Sequence, residues 1–89
     1  MLTLDKAREW LRIDGTDNDG IIDGLIHAAV DYIEITTGMC AGQQEEEPLA
    51  EAAEKFLVQL WYNAEQSESE KLQQTIDGLL KVLTVKARD

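Results

Sequence analysis

Positive charge is what this chain has least of: eight lysines and arginines stand against eighteen aspartates and glutamates, for a formal net charge of -10. Between Arg12 and Lys55 there is no lysine or arginine, while the same stretch holds eleven carboxylates. Gripping a nucleic acid requires cations that displace the counterions of its phosphates, so direct DNA binding is disfavoured. Cysteine occurs once, at Cys40, which excludes an internal disulfide and suits a reducing compartment. Asp5, Lys6, Arg8 and Glu9 fall within the first nine residues and leave no room for the apolar core of a secretion signal. No apolar run approaches the roughly 20 residues of a membrane span. The chain is expected to be made and used in the cytoplasm, away from membranes.

The residues of catalysis are also scarce. The only serines, Ser67 and Ser69, lie in a polar stretch, and the only histidine, His27, sits in a helical pattern. There is no glycine-rich phosphate cradle and no zinc-ligand spacing. Cys40 with His27 lacks the third group that orients a nucleophile–base pair. The turn Asp14-Gly15-Thr16-Asp17-Asn18-Asp19-Gly20 invites comparison with the twelve-residue calcium loop, which needs an acid at its first position, glycine at its sixth and glutamate at its last. With Gly20 as the glycine, Gly15 and Ile26 fall at the two ends, and the loop fails at both. No catalytic residue, metal or cofactor is expected.

What is present is helical periodicity. Eighty-nine residues, 44% of them apolar, suffice for one core, so residues 1–89 are expected to form one domain. Thr3 can cap a first helix of two to three turns, with Leu4, Ala7, Trp10 and Leu11 on one face and Leu2 stapling its start. After the Asp-rich turn, Ile22, Leu25, Ile26, Ala29 and Ile33 predict a second helix over about Asp19–Thr37, capped by Asp17, Asn18 or Asp19 and closed by Gly38. Residues 39–47 read as a polar loop. Pro48 suits the first turn of a third helix, in which Leu49, Ala52, Ala53, Phe56, Leu57, Leu60, Trp61 and Ala64 recur at three- and four-residue spacing. Gln66–Gln74 reads as a mobile polar loop, although Leu72 can belong to the next helix. Ile76, Leu79, Leu80 and Leu83 predict a short fourth helix over about Thr75–Leu83, weakened by Gly78. The expected class is all-α: a bundle of about four helices, two long central ones with short helices at the N- and C-terminal ends.

Asp19, Asp23, His27 and Asp31 fall four residues apart and form a polar stripe opposite the apolar one. Arg8 and Arg12 share a face of the first helix by the same spacing. The stripe reads as a water-facing one before a weak cation site, and two uses of these charges in contacts stay open: the basic pair of one subunit meeting the acidic stripe of its neighbour, or local pairs such as Asp5 with Arg8 and Glu9 with Arg12. Trp10 and Phe56 read as core by spacing. Trp61 and Tyr62 are adjacent, so a helix cannot bury both equally, and one can reach a partner. The candidate interface residues are thus Arg8, Arg12, Asp19, Asp23, His27, Asp31, Trp61 and Tyr62.

The order of these pieces resembles a known family. Ala7-x-x-Trp10-Leu11-Arg12-Ile13-Asp14, an Asp-rich turn, and Ala28-Ala29-x-x-Tyr32-Ile33-Glu34-x-x-Thr37-Gly38 resemble the opening of tailed-bacteriophage head-tail connectors. Pro48-Leu49, Trp61-Tyr62 and Gly78-x-Leu80 before Leu83 resemble the later landmarks, so the likeness runs over nearly the whole length. Met39-Cys40 replaces the basic residue common after Thr-Gly, and no proline precedes the last helix. The resemblance implies an adaptor that forms a homo-oligomeric ring of about twelve-fold cyclic symmetry under the portal protein. It further implies docking of a tail-side connector or tail-completion protein, DNA passing through the channel without specific binding, and residence in the host cytoplasm before the virion neck. The charge alone would also suit a small acidic regulator or nucleic-acid mimic that occupies a basic partner.

Overall fold

The computed structural model describes residues 2–63 and 69–88. Five helices follow one another: α1 (Leu4–Leu11), α2 (Asp19–Thr37), α3 (Ala41–Glu45), α4 (Pro48–Tyr62) and α5 (Ser69–Ala87). No strand occurs among the described residues. Helices α2, α4 and α5 pack against one another in all three pairings, α1 lies on α2 and α4, and α3 fills the corner between α2 and α4.

Local chemistry sets the boundaries. The Thr3 hydroxyl accepts from the Lys6 N–H at 3.2 Å and starts α1. Leu2, only 2% exposed, packs into the core beneath that start, as a stapling residue should. Arg12 ends α1 in the left-handed region at φ 60°, its N–H returning to the carbonyls of Arg8 and Glu9. Asn18 occupies the cap position of α2, but its side chain does not cap; its Nδ2 donates instead to the Tyr62 hydroxyl at 2.8 Å, fastening the turn to the end of α4. Gly38, at φ 83°, closes α2 in the conformation that glycine adopts without steric cost. Pro48 opens α4 at a position where the N–H it lacks has no helical partner to lose.

The core is aliphatic. Ile22, Ile26 and Ile33 of α2, Leu57 and Val58 of α4, and Ile76 and Leu83 of α5 are buried together with Met39 and several alanines. Each large side chain so buried is worth about 1.5–3 kcal/mol. Two fully buried polar side chains interrupt this interior, Gln44 and Glu54.

Several expectations need correction. Residues 39–47 are not all loop: Ala41–Glu45 form α3, whose one buried side chain is Gln44. It is placed by its amide, which donates to the carbonyls of Val30 at 3.0 Å and Met39 at 2.9 Å. The expected loop Gln66–Gln74 is helical from Ser69 onward, and its first residues lie outside those described, as does Ala64. The C-terminal helix is not short: α5 has 19 residues, as many as α2, and runs past Leu83 to Ala87. Helix α4 is turned relative to the expected stripe. Its buried residues are Ala50, Ala53, Glu54, Leu57 and Val58, while Leu49, Phe56, Leu60 and Trp61 pack at the edges of the core. Trp10 is not core either; it is 40% exposed and meets half-buried Phe56 edge-on, with ring centroids 5.6 Å apart.

Candidate subunit interface

Helix α1 and the turn behind it place Arg8 at the start of α2. Its Nη1 donates to both carboxylate oxygens of Asp19, at 3.2 and 3.3 Å, and its Nη2 donates to Asp5. Arg8 and Asp19 are therefore joined within one chain, and the local pair of Asp5 with Arg8 is formed. Each is only partly exposed, which shields the pair from water and salt better than a surface ion pair. Arg12, one turn on, is exposed and makes no ion pair among the described residues.

The rest of the acidic stripe faces outward. Asp23, His27 and Asp31 are all exposed. His27 Nδ1 lies 2.8 Å from the Asp23 carbonyl oxygen, which can only accept, so the geometry assigns the hydrogen to Nδ1. The Asp23 carboxylate lies 3.6 Å from the same nitrogen. Asp31 has no partner among the described residues.

Trp61 and Tyr62 are both half-buried, and both are engaged inside the chain. Trp61 meets Tyr32 of α2 edge-on at 5.8 Å, and Tyr62 accepts the bond from Asn18. Trp10 carries Lys55 over its face at 5.6 Å. The groove between Trp10, Phe56, Leu60 and Leu72 is otherwise bounded by Gln59, Asn63, Ser69, Lys71 and Thr75, with no carboxylate, histidine or cysteine among the described residues that line it. Among the described residues no three acidic, histidine or cysteine side chains could together hold a metal. No described helix is long and apolar enough to cross a membrane.

Two features of the surface were missed by reading for core positions. Ile21 and Ile35 on α2 are 61% and 83% exposed, and Val82 and Val85 on α5 are 43% and 60% exposed. The signal was there in part: Ile21, Ala28 and Ile35 recur every seven residues on the side of α2 opposite Ile22, Ile26 and Ile33. The second feature is the charge of α5, which bears Lys71, Lys81 and Lys86, followed by Arg88, on a chain whose middle has no cation.

A small all-α bundle with an aliphatic interior and its charges set in outward stripes is the class these features define. The chain matches the model of the phage gp6-like head-tail connector protein family over residues 1–87 and belongs to that family, which is a structural one. No curated protein and no solved structure matches it.

Proposed function

We propose that this chain is the connector subunit that closes into a ring beneath the portal of a filled phage head, lengthens the DNA channel and presents the platform on which a tail-side protein docks. Membership of the connector family over residues 1–87 carries the reading. The physical chemistry agrees with it. The outward faces of the bundle differ from one another in charge, and unlike faces make heterologous contacts, which generate closed rings when the rotation is right. A net charge of -10 repels phosphates and lets DNA slide through a channel without being held.

Within this reading Asp23, His27 and Asp31 supply the acidic side of the subunit contact, and Arg12, exposed and without an ion pair among the described residues, adds positive charge to the opposing side. Arg8 and Asp19 serve it indirectly, by fixing α1 against the start of α2. Trp61 and Tyr62, at the end of α4, give the contact a firm aromatic edge.

The test is assembly. Light scattering and electron microscopy of the purified chain, alone and mixed with portal assemblies, should reveal closed rings on the portal. A chain that stays monomeric at every concentration and leaves the portal bare would overturn the proposal. Arg12→Glu should keep the helical circular-dichroism signal and weaken assembly at low salt.

A further inference from the structure

The basic partner that the acidic stripe needs is not to be found in Arg8, whose guanidinium is already held by Asp5 and Asp19 of its own chain. Helix α5 offers another. Its inner side, with Ile76 and Leu83, is buried in the bundle. Its outer side carries Lys71, Gly78, Lys81, Val82 and Val85, with Arg88 just beyond, and every one of these is exposed. Lys71, Lys81 and Arg88 have no carboxylate partner among the described residues; Lys86 differs, being bound to Glu47 at 3.2 Å. Glu70 and Asp77 lie on one flank of this face, and Asp77 accepts from Gln73.

The outer side of α2 is its counterpart. Ile21, Gly24, Ala28, Asp31 and Ile35 run along the side opposite the buried isoleucines, flanked by Asp23 and Glu34, and α2 contains no lysine or arginine. One face is apolar and acidic, the other apolar and basic. They cannot meet within one molecule, because α2 and α5 pack together through their inner sides. Each face also has a glycine inside its helix, Gly24 in the second turn of α2 and Gly78 at the middle of α5, where a Cβ would meet nothing within 4 Å. Glycine there weakens the helix, and nothing inside the chain uses the space.

We infer that the outer face of α2 in one subunit docks on the outer face of α5 in the next, and that this is the contact that propagates the ring. Such a contact rests on the ring of the proposed function and gives that ring its two surfaces. Laid parallel with Ala28 against Gly78, the helices bring Asp31 beside Lys81 and Ile35 beside Val85, while Ile21 falls at Lys71, whose alkyl stem can cover it. The two faces differ, so every copy offers one of each and the contact runs head to tail.

Cross-linking tests this even when association is weak. In a Cys40→Ser background, chains carrying Ala28→Cys are mixed with chains carrying Gly78→Cys and treated with a short bis-maleimide. The mixture should give a cross-linked dimer, whereas either chain alone should give no more than an exposed control, Asp14→Cys. Adding Asp31→Lys to the first chain should reduce the product at least several-fold, and Lys81→Glu in the second should restore it. A mixture no better than the control overturns the inference, as does a product that either variant forms alone. If the unmodified chain still forms rings in that case, the connector reading survives and only the surfaces named here are wrong. Rings that never form remove both.

Discussion

The backbone N–H of Leu2 donates to Oε1 of Glu54 at 2.8 Å, a bond that joins residues 52 apart and is buried from water. It ties the segment before α1 to the middle of α4 and gives a buried carboxyl one of its partners; Oε2 has none among the described residues. Glu54→Ala should therefore leave the Leu2 N–H without an acceptor and open a gap beside it, at a cost of about 1–3 kcal/mol. Glu54→Gln keeps an acceptor oxygen and should lie much closer to the parent. Urea unfolding followed by circular dichroism compares the two, and equal midpoints for both variants would show that the bond contributes nothing.

The same side chain makes stability depend on pH. Burial raises the Glu54 carboxyl above its ordinary value of 4.5, outweighing the Leu2 N–H, which lowers it. A raised value means that the folded chain keeps this proton at a pH where the unfolded chain has lost it. The contribution of Glu54 is thus fully present below about pH 4.5, declines as pH rises through the window up to the folded value, and is flat beyond it. Glu54→Gln cannot titrate, so the stability of the parent minus that of the variant should fall as pH rises from 4.5. Chemical denaturation of both chains across that range reads the difference, and a level or rising curve contradicts the assignment.

Gln44 holds α3 in place by donating to two carbonyls, those of Val30 and Met39, from a fully buried position. Gln44→Ala removes both bonds and opens a gap in a buried position, and stability should drop by about 1–3 kcal/mol. Amide hydrogen exchange should quicken first in residues 39–47, because the rest of the bundle does not depend on this side chain.

Arg12 ends α1 with φ 60°, a conformation that a side chain with a Cβ adopts only at a cost. Arg12→Gly should raise the thermal midpoint, by an amount equivalent to up to about 1 kcal/mol, while the same variant weakens ring assembly in the proposed function. A lower midpoint would mean that the guanidinium supports the fold rather than a neighbour.

Much of this architecture could be read from the residues. Helix α2 runs over the predicted Asp19–Thr37, because its isoleucines repeat cleanly and Gly38 and the Asp-rich turn are unambiguous stops. Helix α4 begins at Pro48 for an equally local reason. The failures share a cause. Helix α3 is held by a buried amide, and a search for apolar spacing cannot register Gln44. The first turns of α5 offer only Leu72 as an apolar anchor, and its last turn interrupts the stripe with exposed Val85, so periodicity gave its centre and not its ends. Glu54 is one of the eleven carboxylates between Arg12 and Lys55, and a count of charge does not register that its place between Ala53 and Leu57 points inward. For the interface, the charges of α2 were legible, but Arg8 could not be assigned to its own chain until α1 and α2 were seen side by side.

Leu2 and Lys86 are both fastened to α4 or the residue that caps it, the first through Glu54 and the second through Glu47. The two ends of the described chain are therefore anchored through the same element, α4 and its cap. A flexible linker from Arg88 to Leu2, with the backbone reopened in the solvent-facing stretch Asp14–Asp17, should give a circular permutant with the same helices in a different order. Its new ends would emerge beside Tyr62 and Asn18, at a site where a fluorescent label could be attached without touching residues 2–11.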